Sequence, residues 1–100
     1  MGSMHARVTT VQLRPDTVDA SIALYQQEIL PVITAQPGYQ GVYLFTDRAT
    51  GNGVSITLWT SEAEAQAYET SGTYRQLVAK LAPNFAAPPT LATYDVSVKG

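Results

Sequence analysis

The sequence predicts an α+β fold, a ferredoxin-like β-α-β-β-α-β antiparallel sheet, on three observations. Strand-type and helix-type segments follow one another in that order. A Gly-rich hairpin joins the two middle strands. The remaining connections are short crossovers that return the chain to one sheet.

Residues 5–13, rich in Val and Thr, read as the first strand. Arg14-Pro15-Asp16-Thr17 is a turn, in which Asp16 or Thr17 caps the next helix and Asp19 favours its first turn. Val18, Ile22, Tyr25, Ile29 and Ile33 recur every three or four residues and form one apolar helical face. Pro31 interrupts this pattern and removes a backbone donor, which predicts a kink or a loosened last turn. Gln36-Pro37-Gly38 ends the helix.

Residues 39–47 form the second strand and residues 54–59 the third. Between them, residues 48–53 make a hairpin loop in which Gly and Asn accept positive φ. Ser61 and Glu64 form a capping box for a helix that reaches about Thr70. Ser71-Gly72 breaks it. Tyr74, Leu77, Val78 and Leu81 continue a second helical stretch that stops before Pro83. Residues 84–89 read as an irregular link and residues 90–98 as the last strand.

In these strands bulky or β-branched groups occupy both alternating phases: Val54, Ile56 and Leu58 against Thr57 and Trp59, Val42 and Leu44 against Tyr43 and Phe45. Helices cover one face, so the other needs a second cover. A two-fold homodimer through the sheet faces supplies it. Charged residues make up 14% of the chain, fewer than the roughly 25% of an average soluble domain, which also points to hidden surface.

The composition excludes several classes. One hundred residues suit one domain, residues 4–100, with Met1-Gly2-Ser3 read as an expression scar. A net charge of −2 without a basic cluster argues against a nucleic-acid partner. The absence of Cys removes disulfides, thiolate metal sites and Cys nucleophiles. No apolar run is long enough for a membrane helix and no signal-peptide pattern opens the chain, so a cytoplasmic location is expected. His5 is the only His, and no Asp/Glu cluster shows metal-ligand spacing, so no metal site is expected.

Pro37-Gly38-Tyr39 after the first helix, Trp59-Thr60-Ser61-Glu62 after the third strand and Tyr74-Arg75 in the last helix, within this element order, resemble the antibiotic biosynthesis monooxygenase superfamily of dimeric α/β barrels. The resemblance covers nearly all of residues 5–98. It implies the dimeric barrel and a pocket between sheet and helices. Trp59 matches the Trp of the polyketide-oxygenase branch, and Arg75 stands where that branch has an Arg. Ser55 replaces its Asn four residues before the Trp, and Ala65 replaces its Tyr six residues after. In the haem-degrading branch the iron-ligating His falls at Leu77 or Val78 here, its first-strand Asn at Thr10, and its second-helix aromatic at Tyr68. Without the axial His, haem turnover is not expected.

The resemblance implies a cofactor-independent monooxygenase acting on a small aromatic or quinol-type substrate, with Trp59, Arg75 and Tyr68 as catalytic groups. Tyr25, Tyr74, Ser55 and Thr10 would bind the substrate. The chemistry suits such groups: aromatic walls hold a flat ring and exclude water, and a cation or hydrogen-bond donor favours its anion. Glu64 or Glu69 would serve as a base if buried. No cofactor is required. The alternative is a non-catalytic dimeric protein that binds a small ligand or acts as an accessory. The two readings separate on whether Trp59, Tyr68 and Arg75 face a cavity under the helices.

Overall fold

β1 (His5–Leu13), β2 (Tyr39–Thr46), β3 (Asn52–Trp59) and β4 (Phe85–Asp95) form one antiparallel sheet in the order β2-β3-β1-β4 in the computed structural model. Residues 4–100 are described, and the expected scar at 1–3 lies outside them. α1 (Val18–Leu24), α2 (Leu30–Thr34), α3 (Glu62–Thr70) and α4 (Thr73–Leu81) cover one face. The α+β, ferredoxin-like expectation holds.

The register assigns the two faces. Val8 pairs with Ile56 on one side and Ala92 on the other, and Val42 pairs with Thr57. Since side chains alternate along a strand, the helix side receives His5, Arg7, Thr9, Val11 and Leu13 from β1. All five are buried. Tyr25, Ile29, Ile33, Trp59, Ala65, Tyr68 and Leu77 form the main core there, and Val11, Leu13 and Val18 a second cluster. The opposite face presents Tyr43 (56% exposed), Phe45 (53%) and Tyr94 (56%), with half-buried Val54, Ile56 and Leu58 between them. Tyr43 and Phe45 stack with ring centres 6.0 Å apart.

Local differences from the sequence reading have physical causes. Neither Asp16 nor Thr17 caps α1 through its side chain; the Thr17 hydroxyl donates to the Arg14 carbonyl instead (2.7 Å). The effect of Pro31 appears upstream of it, as a π turn at Tyr25–Ile29, closed by the Leu30 N–H on the Tyr25 carbonyl. The proline ring crowds the carbonyl four residues earlier, and a wider turn relieves that crowding. β3 begins at Asn52 rather than at residue 54, because Gly51, at φ +79°, completes the turn. Its carbonyl accepts from the Leu13 N–H (2.8 Å), and a Cβ at Gly51 would collide with the Leu13 carbonyl.

The irregular link expected over residues 84–89 is strand. β4 runs from Phe85 and ends at Asp95 rather than at residue 98. It carries Pro88 and Pro89 because it is an edge strand, where a missing donor costs least, and register shifts opposite Gln12 absorb them. The β3–α3 corner is capped by Ser61 as read, its hydroxyl accepting from the Glu64 N–H (3.3 Å), but the Glu64 carboxylate accepts from that hydroxyl (3.3 Å) instead of closing the reciprocal half of the capping box. The break at Ser71-Gly72 also forms, with Gly72 at φ +85°.

Candidate active site

Arg7 stands in the buried phase of β1, directly beneath α3 and α4, and is only 3% exposed. Its guanidinium carbon sits 4.5 Å from the centre of the Tyr74 ring and 5.4 Å from that of Tyr68. Nη2 donates to Glu69 Oε1 at 2.9 Å, while the buried Nε has no partner. The pair is asymmetric, since the Glu69 side chain is 42% exposed. Two cation–π contacts in a dry setting, each about 0.5–2 kcal/mol, hold the guanidinium more firmly than its single bond to a half-exposed carboxylate.

Arg7 borders two spaces. Inside lies an apolar cavity of about 60 Å³, with Thr9, Tyr25, Ser55, Tyr68 and Tyr74 among its walls. Outside lies a more polar cleft of about 410 Å³, bordered by His5, Glu62, Gln66, Glu69 and Thr93. Two pairs of hydroxyls meet in the cavity's wall: those of Tyr25 and Ser55 lie 2.8 Å apart, and those of Thr9 and Tyr74 3.1 Å apart. Burial pushes the Tyr68 phenol well above its ordinary range; the Tyr25 phenol adds to the rise and the Arg7 charge partly opposes it. Burial likewise raises Tyr25, against the lowering effect of its bond to Ser55. Both are therefore neutral hydroxyls near pH 7.

Four of the residues named from sequence come together here: Tyr68, Tyr25, Tyr74 and Ser55. Three do not. Trp59 is fully buried beneath Tyr68 (ring centres 4.8 Å apart), and its Nε1 donates to Thr57 Oγ1 at 2.9 Å. It packs in the main core and borders a side recess with Pro37 and Glu64. Arg75 is exposed on the outer side of α4 and borders neither space. A helix shows different residues to the sheet and to solvent; Tyr74, Leu77 and Val78 take the inner positions. Thr10 pairs with Val54 and Thr90, and so lies on the opposite face of the sheet. Of the two candidate bases, Glu64 is half-buried and faces Ser61 (3.3 Å), away from the cavity, and Glu69 sits on the cleft against Arg7.

The residue missed from sequence is Arg7. Its signal was present: period-two alternation puts it in phase with Val11 and Leu13, a charge at a core position of a central strand. Folding also assembles a group that sequence spacing did not show. His5, Glu62 and Asp95 bring potential ligand atoms within 4.8 Å of one another, with His5 Nδ1 3.3 Å from Asp95 Oδ1.

A sequence profile described as antibiotic biosynthesis monooxygenase matches residues 4–80. The chain belongs to that family. Relatives of this family member include the uncharacterized protein Rv2557 of Mycobacterium tuberculosis, 26% identical over 95 residues, which are 94% of this chain and 41% of the relative. The chain thus spans about two-fifths of the length of the curated relatives it matches. Among solved structures, a monooxygenase from the gene ActVA-Orf6 of Streptomyces coelicolor, in complex with nanaomycin D, superposes with a TM-score of 0.76. It is 19% identical, over 97% of this chain and 90% of that one. Rv0793 from Mycobacterium tuberculosis gives 0.74 at 21% identity, over 97% and 98% of the two chains. At these identities the superpositions establish the shared fold. Among the described residues no helix is long and apolar enough to cross a membrane.

Proposed function

We propose that this family member is a cofactor-independent monooxygenase of a small phenolic or enolisable aromatic compound, acting in the cytoplasm as a homodimer. The observation that carries the reading is Arg7: a buried cation against two tyrosine rings at the wall of an apolar cavity. A charge held in a water-poor site favours an anion developing beside it. The substrate anion then gives electrons to dioxygen. For a phenol with a free para C–H, the balance is phenol plus O₂ to quinone plus water. One oxygen atom bonds to the para carbon, and the other leaves as water with the two hydrogens lost from O–H and C–H.

In this scheme Tyr68 and Tyr74 wall the ring on one side, the Tyr25–Ser55 pair offers a neutral hydrogen-bonding edge, and Glu69 takes up the phenolic proton on the cleft side. Trp59 supports Tyr68 from below and does not touch the substrate. A cavity of about 60 Å³ is smaller than the roughly 150 Å³ that accommodates benzene, so a ring enters only when the cavity opens toward the cleft at the Arg7–Glu69 pair. The homodimer buries the Tyr43, Phe45 and Tyr94 face of the sheet.

The test is oxygen uptake by the purified protein with a panel of phenols, naphthols and anthrones, without flavin, haem or metal. Stoichiometric uptake of oxygen with quinone formation supports the reading. A panel that binds, shown by a thermal shift, yet consumes no oxygen would favour the ligand-binding alternative.

A further inference from the structure

The side of a guanidinium that carries Nε–H and Nη2–H is a two-pronged edge matched to the two oxygens of one carboxylate. In Arg7 half of that edge is in use. Nη2 donates to Glu69 Oε1 at 2.9 Å, and the neighbouring Nε, buried, has no acceptor. An unpartnered N–H out of reach of water is costly, and here it belongs to a charged group. The acceptor now present is a carboxylate on a half-exposed side chain, which is free to turn into the cleft. The guanidinium itself is fixed between β1 and the Tyr68 and Tyr74 rings. Among the described residues Arg7 is also the one charged group that borders both the apolar cavity and the cleft.

We propose that the ligand of this site is a small aromatic carboxylate, whose carboxylate replaces Glu69 on the Nε and Nη2 edge of Arg7 while its ring passes into the cavity beside Tyr68 and Tyr74. The proposal rests on the reading of this cavity as the substrate site. It adds the ligand's charge and the residue that selects it. The cavity alone is too small for a ring, so the ligand straddles the boundary that the Arg7–Glu69 pair now closes. Displacement of Glu69 is the opening step, and it leaves the Glu69 carboxylate free to take the phenolic proton. A phosphate would bring a second negative charge into a cleft that already holds Glu62 and Glu69, so the carboxylate fits better.

The experiment is a calorimetric comparison of 2-hydroxybenzoate with its neutral methyl ester, which keeps the ring and phenol and removes the charge. The acid is expected to bind at least about tenfold more tightly than the ester, as a charge-assisted bidentate pair requires. Glu69→Gln removes the competing carboxylate and is expected to tighten acid binding severalfold and so to widen the preference for the acid over the ester. Arg7→Gln is expected to abolish the preference; if that variant does not fold, Arg7→Lys and Glu69→Gln carry the test, since Lys lacks the two-pronged edge. Equal binding of acid and ester, binding of neither, or a preference unchanged in both Arg7→Lys and Glu69→Gln overturns the proposal. Preferential acid binding without oxygen uptake would leave it standing and remove the oxygenase reading. Oxygen uptake from neutral phenols alone, with no acid preference, would do the reverse.

Discussion

The Arg7 guanidinium lies 4.5 Å from the centre of the Tyr74 ring, so a central strand of the sheet and the last helix meet through a cation–π contact at the wall of the cavity. The resemblance to the polyketide-oxygenase branch assigned the cation to Arg75, one residue beyond Tyr74. In the folded chain the cation at this wall is Arg7, from β1, while Arg75 is exposed on α4.

Arg7→Gln is accordingly expected to lower kcat/KM for a phenolic substrate by about 10²–10³-fold, the range seen when one group stabilising a developing anion is removed. Arg75→Ala is expected to change it by less than about twofold, because the side chain is exposed and remote from both spaces. Steady-state oxygen uptake on both variants checks the pair. Equal losses would place the cation on the helix after all.

Trp59 is expected to matter through stability. Trp59→Ala empties the floor beneath Tyr68 and leaves the Thr57 hydroxyl without its donor, at a cost of about 3–5 kcal/mol. Urea denaturation measures this directly. Trp59→Phe keeps most of the volume and is expected to retain turnover in whatever fraction stays folded. A folded Trp59→Phe protein with no activity would return Trp59 to the chemistry.

The uncovered sheet face predicts an oligomer. The wild-type chain is expected to sediment as a dimer, and Tyr43→Lys with Phe45→Glu to shift it to monomer, since these changes replace two exposed stacked aromatics of the apolar face with charges. Analytical ultracentrifugation reads the outcome. The substitutions face away from the cavity, so ligand binding by the monomer separates assembly from the site.

Alkaline stability follows from the two buried phenols. Tyr68 and Tyr25 both have pKa values raised above the ordinary 10.0, chiefly by burial. Deprotonation is therefore easier in the unfolded chain. The stability each contributes is complete below about pH 10 and is lost as pH rises through the folded-state values. Melting temperature is expected to fall steeply above pH 10, and Tyr68→Phe or Tyr25→Phe to make that fall shallower. Identical alkaline slopes in wild type and both variants would contradict the assignment.

By itself the sequence determined the element order, the capped corner at Ser61, the broken helix at Gly72 and the apolar helical faces that carry Tyr25 and Tyr74, since each depends on local chemistry or on one short period. It misread Pro88 and Pro89, because tolerance for proline depends on whether a strand lies at an edge, which no local pattern states. It placed the cation on Arg75 and a binding role on Thr10, because a matched position fixes a residue's place along the chain but not which way its side chain points. The tertiary structure decided that Arg7 lies under Tyr74, that Glu69 meets it across 62 positions of sequence, and that Trp59 is buried against Tyr68 and does not line the cavity. Those contacts come from the register of β1 against its neighbours and from helices laid across it. A two-residue phase can be read locally, while the partner that fills that phase is set by packing.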